Sequence, residues 1–545
     1  MKRDTNSSPE SMPDLAEQVQ VLTALFNEQE ARFTTKEARF ATREAQFTAR
    51  EEEYKNQIAL LEEQVLFLKQ KLFGRKSDQL PVDDRQLSFF TEEDAPSAAP
   101  AESSPEEITV SSHNRKKPGR KPLPESLPRV EVVHDLAESE KTCSCGCLKS
   151  CIGQEVSEQL DIIPARLQVI RHIRLKYACK GCEGVGSSDP TVMIAPAPVQ
   201  LIDKSMASAG LLAHVLTAKF VDALPFYRQE KQFSRLGIDI PRSTMCNWAM
   251  HVAEACAPLQ DLLINEIRSG PLINVDETTL KVLSEKTRSK CYMWVLCSEG
   301  ISRQSVVYHY APGRGGEVIS DILADYRGYV QTDGYKGYDV LSRSEGIILV
   351  GCWAHVRRRF VDVTKIKGLK SKSSKKTNAL TALEYIDKIY RFEKEHRKTI
   401  GSEAEFCARR ASELTLELKK FHTFLRDLSM RTPPKGLLGK AVFYALNQWP
   451  RLCAYLERGY IRPDNNRAEN AIRPFVVGRK NWLFSGNGKG AQASATLFSL
   501  IETAKANGVE PYAYLRYLFE KLPHVKQAAE YKKLLPQYLD PKLLV

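Results

Sequence analysis

A multidomain α/β architecture is what this sequence predicts, and three observations predict it. Large apolar residues recur every seven positions near the start, cysteines crowd into one short stretch, and a run of strands and helices past residue 270 has its acids at strand centres and ends. A chain of 545 residues exceeds what one hydrophobic core serves. The elements divide as 14–75 coiled coil, 76–128 linker with a basic arm, 129–200 zinc-binding module and 201–268 helical region. An α/β core follows over 269–366, is interrupted by a helical insertion over 367–458, resumes over 459–505 and ends in a helical tail, 506–545.

The first element rests on Val19, Phe26, Phe33, Phe40, Phe47, Tyr54, Leu61 and Leu68, with a second stripe at Ile58, Val65 and Leu72. Alternating three- and four-residue spacing fills both core positions of a heptad, so a coiled coil and a homo-oligomer are expected. Upstream the partner position is acidic (Glu30, Glu37, Glu44, Glu51), so the early part is the weaker half. Residues 78–128 lose periodicity and fill with Pro, Ser, Ala and acids, the composition of a linker. It ends in "HNRKKPGRKPLP", where Arg115, Lys116, Lys117, Arg120 and Lys121, spaced by Pro and Gly, resemble an AT-hook that lies in a minor groove.

Six of the 13 cysteines fall within 143–182. Cys179 and Cys182 form a C-x-x-C, whose turn aims two thiolates at one Zn²⁺. The upstream pair is drawn from Cys143, Cys145, Cys147 and Cys151, and the alternating stretch between the pairs suits a zinc-ribbon hairpin. In the helical region, "FYRQEKQFSRLG" and "IDIPRSTMCNWAMHVAEA", joined at Gly237, resemble a helix-turn-helix with Arg242, Ser243, Thr244 and Asn247 toward a major groove.

From 271 the order is β-β-β-α-β-α-β-α, that of a ribonuclease H-like fold. Asp276 sits mid-way along the first strand and Asp333 at the end of the fourth; those strands are neighbours in such a fold. Two carboxylates so close call for a divalent cation, and Mg²⁺ (or Mn²⁺) suits hard oxygens. A third carboxylate, Glu469, follows Asn466 on a later helix, a spacing that is also a capping box. Asp464 and Glu277 are the alternative acids. The separation between Asp333 and Glu469 is explained by long amphipathic helices in "ALTALEYIDKIYRFEKEHRK" and "FCARRASELTLELKKFHTFLRDL". Around Glu469, Arg462, Arg467, Arg473, Arg479 and Lys480 would hold a phosphodiester backbone.

These motifs carry a resemblance. "NVDET", "TDGYKGY", "GCWAHVRRRF" and "DNNRAENAIRPFVVGRKNWLFSG", with "LFGRKSD", "RKKPGRKPLP" and "SEQLDIIPAR", resemble the transposases of the insertion sequence 66 family over nearly the full chain. The resemblance implies a D-D-E transposase with Asp276, Asp333 and Glu469 as its triad, two Mg²⁺ ions, and cleavage followed by strand transfer at the ends of an element. It implies a zinc module in which Cys143 and Cys145 join Cys179 and Cys182, Thr142 standing where the family's first cysteine would be. It also implies small accessory proteins, and positioning or phosphate contact for Trp353, His355 and Arg357. The alternatives are an inactive transposase-derived DNA-binding regulator and a nuclease of the same fold.

A net charge of +12 and a pI of about 8.9 favour a polyanionic partner. No apolar run reaches the roughly 20 residues of a membrane span, and "MKRDTNSSPESMPD" has no secretory h-region, so the cytoplasm is expected. "GNGKG" lacks the phosphate-loop pattern, so ATP is not expected.

Overall fold

The structure is a computed structural model that describes residues 15–73, 129–131, 159, 167–178, 192–285, 290–299, 303–365, 377–540 and 543. It divides into two compact units, residues 79–197 and the remainder. The basic-arm residues Arg115, Lys116, Lys117, Arg120 and Lys121 and the cysteines Cys143, Cys145, Cys179 and Cys182 lie outside the described residues.

The larger unit begins with α1 (Leu15–Phe73), a single helix of 59 residues. No core explains it: Phe26, Phe33, Phe40 and Phe47 are each about two-thirds exposed. Intrahelical ion pairs such as Arg32–Glu28 at 2.7 Å add only tenths of a kcal/mol. The apolar stripe of α1 is left largely exposed along its length.

In the smaller unit, β1 (Lys176–Ala178) pairs antiparallel with β2 (Val192–Ile194). The hairpin expected between the cysteine pairs falls largely outside the described residues; among those described, β1 pairs with a strand that follows Cys182 in the sequence.

Four helices follow: α2 (Ala209–Phe220), α3 (Phe226–Arg235), α4 (Arg242–Ala255) and α5 (Ala257–Arg268). Ser208 caps α2 by accepting the Leu211 N–H, and Gly237 turns the chain between α3 and α4 at φ +81°. Met245, Trp248 and Val252 bury one face of α4, leaving Arg242 and Asn247 exposed and Thr244 half-buried.

A five-stranded sheet then forms from β3 (Leu272–Leu280), β4 (Cys291–Glu299), β5 (Gln304–Ala311), β6 (Gly328–Gln331) and β7 (Ile347–Val350), in the order β5-β4-β3-β6-β7. The first three strands are antiparallel; β6 runs parallel to β3, and β7 parallel to β6. Helix α6 (Gly316–Ile322) links β5 to β6, and α7 (Trp353–Thr364) follows β7. The segment after β6, expected as a helix, is a tight 3₁₀ stretch, Lys336–Arg343. Neighbouring residues Trp294, Val295 and Leu296 are all buried, so the sheet is covered on both faces.

The edge strand β5 is closed by side chains. On α13 (Gly488–Ala506), Ser499 and Thr503 lie one turn apart, and Asn507 follows just past its end. They accept the backbone N–H groups of Tyr308, Val306 and Gln304 at 2.8, 3.0 and 3.2 Å. Thr503 and Asn507 also donate back to the carbonyls of Val306 and Gln304. A polar stripe on a helix thereby does what another strand would otherwise do.

Between α7 and the last core helices stand α8 (Asn378–His396), α9 (Glu403–Arg431), α10 (Leu437–Asn447) and α11 (Trp449–Cys453), with their own apolar core around Ile386, Phe421, Leu425 and Val442. The chain returns through α12 (Asn466–Trp482) and finishes with α13, α14 (Pro511–Lys521) and α15 (Ala528–Lys533).

Candidate active site

Asp276 occupies the centre of β3, where the burial changes from the fully buried run Leu272–Val275 to half-buried residues. Asn274 stands opposite Gln331 in the parallel pair β3–β6. Carried two residues further, that register sets Asp276 level with Asp333, which follows the end of β6. The β3–β6 pairing ends at Asn274 and Gln331, and β3 continues past the carboxyl end of β6.

Beneath the acids lies a buried amide cluster. Asn274 Nδ2 donates to Gln331 Oε1 at 2.8 Å and to Asn465 Oδ1 at 3.0 Å; Asn465 Nδ2 donates to the Val275 carbonyl at 2.8 Å. Gln331 Nε2 donates to the carbonyls of Gly351 and Arg462. Three almost fully buried amides thus join β3, β6 and the entry to α12, the segments that carry Asp276, Asp333 and Glu469. Buried amides hold position because leaving any one unsatisfied is expensive.

Glu469 lies in the first turn of α12, but not in a capping box. Asn465, not Asn466, is the N-cap, and its side chain makes no capping bond because it is engaged with the sheet. The Glu469 carboxylate instead meets α7: Arg358 Nη2 donates to Oε2 at 2.8 Å, and His355 Nδ1 lies 3.5 Å from Oε1. Helix α7 is held there by its first residue, whose N–H donates to the Pro463 carbonyl at 2.9 Å.

Electrostatics tie the trio together. Burial pushes the Asp276 carboxyl up to about 7, helped by the charges of Glu277, Glu469 and Asp333 and opposed by the Glu277 N–H that Asp276 accepts. Glu277 is also raised by burial, but its carboxylate is bound by Tyr338 Oη and by Arg314, whose guanidinium stacks on Tyr335 at 3.5 Å. Glu277 is thus satisfied within the protein. Asp464, the other alternative acid, is raised by burial and accepts the Asn466 N–H. Asp333 accepts the Tyr335 N–H at 2.8 Å. Burial lowers the His355 imidazole, against the charges of Glu469 and Asp333.

A side chain in the turn after Asp333 would press on a neighbouring ring. A Cβ on Gly334 would fall 2.5 Å from the Tyr444 ring of α10, and Tyr444 Oη accepts the Gly334 N–H at 3.1 Å. The helical insertion therefore borders the acid cluster.

The basic residues fall into three groups. Arg462, Arg473 and Lys480 are exposed, and helix geometry sets Arg473 and Lys480 along the stripe of α12 that Glu469 begins. Arg467 is half-buried. Arg357 meets Asp387 at 3.4 Å, and Arg479 turns to β3, bonding Thr278 Oγ1 at 3.0 Å and the Thr279 carbonyl. Trp353 is fully buried, its Nε1 donating to the Leu452 carbonyl at 2.9 Å. Arg358, which the sequence analysis did not single out, is the arginine that reaches Glu469. It lies about one α-helical turn from His355, on that residue's side of α7, and only the tertiary contact with Glu469 picks it out from its neighbours.

Comparison with known proteins matches residues 204–493, more than half of the chain, to the family described as Transposase IS66 family. The chain belongs to the IS66 transposase family. Residues 140–183 match the zinc-finger binding domain of transposase IS66, 60–132 the element described as transposase C of IS166 homeodomain, and 499–537 the IS66 C-terminal element. The uncharacterized protein y4jD of Sinorhizobium fredii is 33% identical over 480 residues, covering 85% of this chain and 91% of that protein. The uncharacterized protein y4qI of the same organism is 32% identical over 503 residues, covering 89% of each. The IS66 family match spans Asp276, Asp333 and Glu469, and the zinc-finger match spans all four proposed cysteine ligands. Among the described residues no helix is long and apolar enough to cross a membrane.

Proposed function

We propose that the chain is a D-D-E transposase with a ribonuclease H-like core, in which Asp276, Asp333 and Glu469 hold two Mg²⁺ (or Mn²⁺) ions and DNA strands are cut and joined at the ends of an insertion sequence. What supports this reading is that Asp276 on β3, Asp333 after β6 and Glu469 on α12 stand on segments tied together by the buried amides of Asn274, Gln331 and Asn465, and that burial, then the charges of Glu277, Glu469 and Asp333, raise the Asp276 carboxyl. The donor set fits hard divalent ions. Asp276, Asp333 and Glu469 offer hard carboxylate oxygens, and Glu469 Oε1 is a buried oxygen with no hydrogen bond.

When bound, such ions lower the pKa of an attacking water or 3′-hydroxyl and offset charge at the phosphorus. The protein's own contributions are distinct. A bound cation would favour the ionised form of Asp276, which burial opposes. The amide cluster keeps the three acid-bearing segments in register. Arg358, half-exposed beside Glu469, is placed to neutralise a phosphate oxygen, and Arg473 and Lys480 extend that track along α12. Arg467 borders it, while Arg357 and Arg479 serve chiefly to fix α7 and α12.

The remaining modules suit end recognition. Arg242, Thr244 and Asn247 on α4 would read a major groove, and Arg115, Lys116, Lys117, Arg120 and Lys121 a minor groove. Cys143, Cys145, Cys179 and Cys182 would hold structural Zn²⁺, and α1 would pair chains into a homo-oligomer.

The test is a strand-transfer assay with Mg²⁺ on DNA carrying the element's ends. Asp276→Ala, Asp333→Ala and Glu469→Ala should each abolish joining while DNA binding persists. Joining that survives any one of them rejects the assignment.

A further inference from the structure

Glu469 is approached from α7 by a nitrogen donor that the proposed trio does not use. Donor atoms of Cys352, His355 and Glu469 lie within 4.8 Å of one another, a spacing that one cation could span. Arg358 holds Glu469 Oε2, so Oε1 is the oxygen turned to His355. Oε1 and His355 Nδ1 face each other at 3.5 Å; both are shielded from solvent, yet neither makes a hydrogen bond. In the tautomer with its proton on Nε2, His355 turns a lone pair toward the Glu469 oxygen, and a cation between the two would satisfy both.

The backbone keeps this approach in place. Trp353 N–H is bonded to the Pro463 carbonyl, and Asn465 N–H to Cys352 Sγ at 3.2 Å, so the first turn of α7 is tied to the segment entering α12. Cys352 is buried and its sulfur already accepts that bond, so it is not assigned as a ligand.

We propose that His355 is a fourth protein ligand of the metal centre, its Nδ1 binding the ion that Glu469 holds. This deepens the reading above and rests on it. An imidazole among carboxylates shifts preference from Mg²⁺ toward Mn²⁺ and Co²⁺, since nitrogen ligands suit transition metals better than the harder ion.

The experiment uses the tag-free full chain with its zinc in place, Mn²⁺ as probe, and pulsed electron paramagnetic resonance. The expected result is ¹⁴N modulation from a directly bound imidazole in the unaltered protein. His355→Gln should remove the modulation and raise the Kd for Mn²⁺ at least about tenfold, the loss that follows removal of even an orienting neighbour of a ligand. The Kd for Mg²⁺ should rise less. Mn²⁺ binding that requires Asp276 and Asp333 but shows no ¹⁴N coupling overturns this inference alone. Mn²⁺ binding that survives Asp276→Asn with Asp333→Asn overturns the proposed function, and this inference with it.

Discussion

Replacing Asp276 by Asn should make the metal-free protein more stable while abolishing strand joining. The carboxyl rises from 3.8 to about 7, chiefly through burial, then through the charges of Glu277, Glu469 and Asp333. Between those values the folded state binds the proton more tightly than the unfolded chain, so stability falls as pH rises through that window. At about 1.4 kcal/mol per unit, the ionised side chain destabilises the fold by at most about 4 kcal/mol at pH 8, and about 1–3 kcal/mol after local relaxation. Asn keeps the shape and still accepts the Glu277 N–H, but carries no charge. Its advantage should be full above pH 7.5, shrink through pH 5–6 and vanish below pH 4, where Asp276 is neutral in both states. Urea unfolding followed by fluorescence, in chelator across pH 4–8, measures it. Saturating Mn²⁺ should reverse the order, because only the unaltered site gains the binding energy. Equal stability of the two proteins at pH 8, or a gain that persists at pH 4, would refute the raised proton affinity of the buried Asp276 carboxyl.

Other perturbations test other parts of the structure. Thr503→Val leaves the Val306 N–H and carbonyl of the edge strand unsatisfied and should lower stability by about 2–3 kcal/mol in urea titration. Asn465→Leu breaks the amide cluster; it should destabilise by about 3 kcal/mol and weaken Mn²⁺ binding, because the entry to α12 is no longer tied to β3. Gly334→Ala drives a Cβ into the Tyr444 ring and should cut strand joining more than tenfold, with recovery in the double variant carrying Tyr444→Ala. Phe33→Asp with Phe40→Asp should reduce the mass of the full-length assembly in sedimentation velocity, since both stand two-thirds exposed on α1.

Particular residues explain how much of this was legible beforehand. Asp276 and Asp333 stand out because a carboxylate at the centre of a buried strand, or where a strand ends, violates the pattern around it, and the strand order follows from the same alternation. Glu469 is harder: its local spacing matches a capping box, and only tertiary contact decides. Asn465 takes the cap position, and the sheet takes its side chain, so Asn466-x-x-Glu469 never closes on itself. Adjacent arginines 357, 358 and 359 project about 100° apart around α7, and nothing local tells which one meets Glu469. Asn274 and Gln331 look like interruptions in apolar runs until the register brings them together. Lys336–Arg343 contains Gly337 and is only eight residues long, too short for helical propensity to prevail over a tight connection.

The insertion poses a sharper question: how can a core surrender its last acid to a distant return of the chain and still place it? The answer lies in where the excursion begins and ends. Gly351 N–H donates to the Arg451 carbonyl at 2.8 Å, Trp353 Nε1 to Leu452, and Trp353 N–H to Pro463, so the returning chain is bonded to the residues it left behind. Because loop closure grows only slowly with length, helices between such clamped ends add little entropic cost. Their own core around Phe421 and Leu425 supplies their stability, while buried Arg410 bonds the carbonyls of Tyr455, Arg458 and Ile461 and ties that core to the returning segment. Position at Glu469 is therefore set by segment 451–465 rather than by the length of α8 and α9. Extending those helices should leave the acid where it is; loosening the bonds at Gly351, Trp353 or Asn465 should not.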